Sequence, residues 1–99
     1  MPTVEFVEHQ IRRREGFAVR FRYSGPGPTK GRNVRGDRMH VPSYPYGVRR
    51  RDSDTVAGWI DGRFRPTYAG FDVDVLDAWG EPVHGRTLLR TVRAGYDSR

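Results

Sequence analysis

Apolar and polar residues alternate with a period of two in several stretches of the chain, the pattern of half-buried strands. It is clearest where Phe17, Val19, Phe21 and Tyr23 alternate with Ala18, Arg20 and Arg22. A preceding arm, Thr3 to Arg12, completes a hairpin over residues 3–24 if Arg13-Arg14-Glu15-Gly16 forms a type I turn closed by a left-handed glycine. That register sets Ile11 against Val19, His9 against Phe21 and Val7 against Tyr23 on the apolar face. On the other face it opposes Glu8 to Arg22 and Gln10 to Arg20, an arrangement that favours cross-strand attraction.

Further strands are expected at Val56 to Arg65, around Trp59, Ile60 and Phe64, and at Tyr68 to Ala78. In the second, Phe71, Val73 and Val75 alternate with Asp72 and Asp74. Arg86 to Ala94 reads as a strand with Thr87, Leu89 and Thr91 on one side. It also carries a helical face of Arg86, Arg90 and Arg93, against which Gly85 and the threonines weigh. Between these segments, residues 24–55 form a long loop with at most a short strand at Met39 to Val41. Pro26 and Pro28 lack the ladder donor and the glycines around them weaken a strand. Residues 25–38 are expected to be less ordered than their flanks, and a loop of this length is functional or disordered.

The pattern therefore predicts one all-β domain over residues 1–99. Its architecture would be a small barrel or rolled antiparallel sheet of about five or six strands with one long basic loop. Its core would be Phe17, Val19, Phe21, Trp59, Phe71, Val73 and Trp79. Composition points the same way: the β-branched and aromatic residues that suit a pleated surface far outnumber leucine. With 99 residues, 35% of them hydrophobic, there is material for a small core and none for a large enclosed active site. The absence of cysteine removes disulfides, thiolate metal sites and cysteine nucleophiles. No apolar run is long enough to cross a bilayer. Met1 to Val7 lacks the features of a secretory leader, so the expected location is cytoplasmic.

Charge narrows the choice of partner. The formal net charge is +6, and it is distributed unevenly: residues 9–51 hold twelve Arg or Lys and two acids, residues 52–85 two arginines and seven acids. Arginine forms planar forks that match phosphate and stack on bases. A GC-rich genome also favours arginine codons, so the local pattern carries more weight than the total. In the 24–55 stretch Lys30, Arg32, Arg35, Arg38, Arg49, Arg50 and Arg51 are interleaved with glycines and with Tyr44 and Tyr46. Glycine lets a backbone approach phosphate, arginine neutralises it, and exposed aromatics stack on unpaired bases. Arg20 and Arg22 on the hairpin face extend the same patch.

Other signals are weak. Arg35-Gly36-Asp37 matches a short adhesion tripeptide by chance in an Arg- and Gly-rich chain, and Gly25 to Gly31 lacks the residue order of a phosphate-binding loop. His9, His40 and His84 stand far apart. Asp72, Asp74 and Asp77 are clustered oxygens of the kind that suit hard cations, but without the spacing of a calcium loop. The expected function is a non-enzymatic binding protein that engages nucleic-acid backbone through the basic loop and strand face, without a cofactor. The main alternative is a small inhibitor or adaptor, of the kind phages and mobile elements carry, that acts on a larger nucleic-acid-processing complex through an acidic protein surface. A metal-dependent nuclease using His40 and the Asp cluster is a third reading. A membrane partner is not expected, and the two charge poles make a homodimer a further candidate assembly.

Overall fold

In the computed structural model, which describes residues 2–97, the first element is a helix, α1, Val4–Glu15. This overturns the all-β expectation at its firmest point. Val4, Val7, Ile11 and Glu15 are buried while His9 is exposed, so the period is that of a helix and the hairpin register does not exist. The signals were local. Thr3 caps the helix by accepting a hydrogen bond from the Phe6 N–H, Glu5 lies in the first turn, and Arg12, Arg13 and Arg14 lie in the last, each sign placed where the helix dipole favours it. Gly16 does adopt the left-handed conformation, at φ 83°, as the cap of a helix and not as a hairpin turn; its N–H returns to the Arg12 carbonyl.

The strand β1, Ala18–Tyr23, follows immediately and pairs antiparallel with β2, Phe71–Leu76. These two strands are the whole sheet among the described residues, in place of the expected five or six. The register sets Val19 against Val75, Phe21 against Val73 and Tyr23 against Phe71 on the core face. On the other face Arg20 opposes Asp74 and Arg22 opposes Asp72. Alternation was therefore read correctly in both strands. The partner was not, because a period of two says which face is apolar and nothing about which strand lies alongside.

The segment expected as a strand at 56–65 is instead part of a helical run, α2, over residues 56–67. Thr55 caps it, accepting from the Gly58 N–H at 3.0 Å. Its centre, Ile60–Phe64, is a π-helical turn in which the Arg65 N–H reaches back five residues to Ile60. The C-terminal segment is also a helix, α3, Leu89–Asp97, with Leu89, Val92 and Arg93 buried. The threonines that argued for a strand either precede it (Thr87) or face solvent (Thr91), where they cost little. Residues 39–41 form no strand.

The long loop is anchored rather than free over much of its length. Tyr23 N–H donates to the Arg32 carbonyl, Gly31 N–H to the Tyr23 carbonyl and Val34 N–H to the Phe21 carbonyl, so residues 31–34 cover the open edge of β1. Glu8 covers the same edge by accepting from the Phe21 N–H at 3.0 Å. The next residues cap α1: the Val4 and Glu5 N–H groups, orphans at a helix start, donate to the carbonyls of Arg38 and Gly36. The expectation of low order across 25–38 thus fails for its second half. Residues 24–30 are exposed.

The core is aromatic. Phe17 meets Trp59 edge-on with ring centroids 5.1 Å apart, and Phe21 meets Phe64 at 5.0 Å and Tyr68 at 5.2 Å. Large rings let a chain with few leucines bury enough apolar surface, and the edge-to-face geometry adds to that. Trp79, expected in this core, is 71% exposed at the tip of the turn after β2. Asp77 shapes that turn, accepting from the N–H groups of Trp79 and Glu81, and this turns the indole outward. No helix among the described residues is long and apolar enough to cross a membrane.

Candidate functional site

The last residue of α1 is the centre of a buried polar network. Glu15 is 0% exposed, and isolated burial of a carboxylate is costly unless every lone pair is used. Here each oxygen has two donors. One accepts from the Arg50 N–H at 2.8 Å and from Arg93 at 3.1 Å. The other accepts from the Tyr44 hydroxyl at 2.5 Å and from Arg63 at 2.6 Å. Trp59 donates its indole N–H to the Tyr44 oxygen at 3.0 Å. Arg93, 7% exposed, also donates to the Glu15 carbonyl at 2.6 Å and to Asp52 at 2.6 Å. Burial, together with donation to the Glu15 carboxylate, pushes the Tyr44 hydroxyl well above the usual phenol range, so Tyr44 stays a donor.

This network joins α1, α2, α3 and the 44–50 segment at one point, and the arginines around that point form a basic face. A cavity of about 410 Å³ is lined by Gln10, Arg13, Arg14, Tyr44 and Tyr46. A second, of about 550 Å³, is lined by residues that include Arg12, Arg13, Arg49, Arg93 and Tyr96. A third, of about 290 Å³, is lined entirely by Arg49, Arg50, Arg51 and Arg63. Shared residues, Arg13 and Arg49, link them into one surface.

Like charges are held together here by identifiable devices. Arg49 lies across Gly16, where a Cβ would collide with its guanidinium, at the end of α1 that carries the negative pole of the helix dipole. Arg50 lies across Gly62 in the π-helical turn in the same way and forms an ion pair with Asp54. Arg12 stacks on the Tyr96 ring at 4.4 Å, and Arg63 on the Tyr46 ring at 4.6 Å. Arg13, Arg14, Arg49 and Arg51 are exposed and form no ion pair among the described residues.

The residues predicted from sequence divide into four groups. Arg49, Arg50 and Arg51 lie on this face, with Tyr46 at its edge. Tyr44 lines it but is mostly spent on the buried network. Arg20 and Arg22 do not extend the patch: both ion-pair with Asp74 across the sheet, so the acidic and basic stretches partly neutralise each other there. Lys30, Arg32, Arg35 and Arg38 belong to the loop on β1; Arg35 pairs with Asp37, while Arg38 lies over the rings of Tyr23 and Phe71 at 5.7 and 5.2 Å. Lys30 and Arg32 are exposed and line none of the three cavities.

Sequence reasoning missed Arg13, Arg14, Arg63 and Arg93, and it set Gln10 and Arg12 on a strand face beside Arg20 and Arg22 instead of on the last turns of a helix. In the hairpin reading the run Arg12-Arg13-Arg14 straddles the end of the first arm and the turn. Read as the last turn of a helix it would have stood beside Gly16 as a cationic helix end. Arg63 and Arg93 gave no such sign, since their partner Glu15 is distant in the chain. Among the described residues no three His, Cys, Asp or Glu side chains gather as a metal site, and Asp74 and Asp77 are engaged as above. His40 is exposed, with a left-handed φ of 69°. Comparison of the chain with models of protein families, with curated proteins and with solved structures finds no match.

Proposed function

We propose that this protein is a non-enzymatic binder of nucleic-acid backbone, and that its contact surface is the arginine face at the C-terminal end of α1 together with residues 46–51. The observation that carries the reading is the set of exposed arginines without ion pairs among the described residues, Arg13, Arg14, Arg49 and Arg51, beside three cavities that each have at least two arginines in their lining, with Asp97 the one carboxylate among the lining residues. Unpaired guanidinium forks are what phosphate recognition uses, and the buried network fixes the end of α1 and the 44–50 segment that carry most of them. Lys30 and Arg32 on the outer loop add to the electrostatic attraction, while Arg20, Arg22 and Arg35 contribute little because Asp74 and Asp37 pair with them.

The test is the salt dependence of binding to a random-sequence duplex. Each phosphate contact contributes about 0.9 to the slope of log affinity against log salt, so Arg49→Gln with Arg51→Gln should flatten the slope by about 1.8. The loss should be the same for all sequences, because phosphate contacts position and do not specify. Melting temperature should move little, since both side chains are exposed and neither forms an ion pair among the described residues. Undetectable binding of the parent protein at low salt, on the order of 50 mM, ends the proposal. A second reading, an adaptor or inhibitor of a larger nucleic-acid-processing complex, draws on Trp79, whose exposed indole on a braced turn has the form of an interface anchor. On that reading Trp79→Ser abolishes capture of one protein partner and leaves oligonucleotide affinity alone.

A further inference from the structure

Resting on the backbone-binding reading, we infer that the cavity beside Tyr46 holds one unpaired nucleotide, so that the protein prefers single-stranded nucleic acid to duplex. The cavity, about 410 Å³, falls at the small end of the range that encloses a low-molecular-weight ligand. Its lining is unusual in polarity: apart from the tyrosines it presents donors. Gln10 accepts the Tyr44 N–H at 3.0 Å through its side-chain oxygen. A backbone N–H only donates, so the amide oxygen must face it and the amide nitrogen must turn away. That nitrogen donates to no described residue. Arg13 and Arg14 complete the donor set. The matching ligand is anionic and rich in acceptors.

The tyrosines add a requirement for a flat face. Tyr44 is buried, but Tyr46 is only half-buried. Its ring is held by the Arg63 guanidinium at 4.6 Å and by the Tyr44 ring at 5.2 Å. Arg63 is itself fixed by Glu15 at 2.6 Å. The ring is therefore oriented before any ligand arrives. A phosphate alone would use Arg13 and Arg14 and leave Tyr46 and the Gln10 amide without a role. A nucleotide uses all four: phosphate on the arginines, base on the ring, base acceptors on the amide. Bases inside a duplex are stacked and paired, so only an unpaired one enters a side cavity.

The experiment compares three ligands of about 12 nucleotides at one salt concentration: a thymidine strand, an abasic strand with the same phosphates, and a duplex. Fluorescence anisotropy should show the thymidine strand binding more tightly than the abasic strand by roughly 5- to 150-fold, the value of one stacked base, and more tightly than the duplex. Tyr46→Leu should close most of the gap between the first two. Arg13→Gln should weaken all three and flatten the salt slope. Equal affinity for the thymidine and abasic strands in the parent protein overturns the nucleotide pocket while leaving backbone binding intact, as does a duplex bound as tightly as the thymidine strand. Failure of all three ligands to bind overturns both proposals. The parent-protein comparison needs no variant, so it stands even if Tyr46→Leu does not fold.

Discussion

Replacing Glu15 by Gln is the sharpest test of what holds this fold together. The side chain keeps its shape and loses its charge. Its carboxylate takes four donors, and an amide offers one oxygen and one NH2. Whichever way the amide turns, its NH2 faces donors. Toward Arg50 and Arg93 it meets a backbone N–H and a guanidinium. Toward Tyr44 it meets a hydroxyl that can rotate to accept, and the Arg63 guanidinium that cannot. Removing one member of a buried ion pair costs about 3–5 kcal/mol, because the other charge stays buried. The lower end applies here. Asp52 still neutralises Arg93, and Arg63 still donates to the Val48 carbonyl at 2.5 Å. For a chain of this size each kcal/mol lowers Tm by about 4–8 °C, so a loss of about 3 kcal/mol predicts a drop of about 12–24 °C. Thermal and urea unfolding at pH 7, followed by circular dichroism, measure it. Arg93→Met in the Glu15→Gln background should cost less than the two changes separately, since either change alone already breaks the Glu15–Arg93 ion pair. A Tm drop under about 4 °C, or strict additivity, would refute the account of Glu15 as the centre of the network.

Two further predictions concern α1. Gly16→Ala places a Cβ at φ 83° and displaces the Arg49 guanidinium, so it should cost about 1–2 kcal/mol in urea unfolding; an unchanged midpoint would mean that the left-handed cap does not form. Glu8 is raised above the ordinary carboxylate range, first by burial and against the hydrogen bond from Phe21, so the fold favours its neutral form. Its ionisation therefore destabilises the fold progressively as pH rises through the ordinary Glu value of 4.5 to the raised folded value. Glu8→Gln, which keeps an acceptor for Phe21, should raise Tm at pH 7, with the gain vanishing well below the ordinary Glu value of 4.5; a gain independent of pH would contradict the burial argument.

Part of this protein is legible in its sequence because the determinants are local. The alternation in 17–23 and 71–75 identifies two strands and their core faces, and the basic composition of 44–51 locates three of the arginines on the candidate face. In 4–15 the local signal was present and was misread: Val7, His9 and Ile11 fit a period of two as well as Val4, Val7 and Ile11 fit a helix, and Gly16 closes either structure. The rest was decided by contacts between residues far apart in the chain. Nothing near Arg20 or Arg22 indicates that Asp74 will neutralise them, and nothing near Glu15 indicates that Arg63 and Arg93 will converge on it. Nor does Trp79 reveal from its neighbours that the turn set by Asp77 points it into solvent. Periodicity and composition report which side of an element is apolar and how much charge a segment carries. Which charges are cancelled and which remain available to a ligand depends on how the elements pack, and that is a property of the tertiary structure alone.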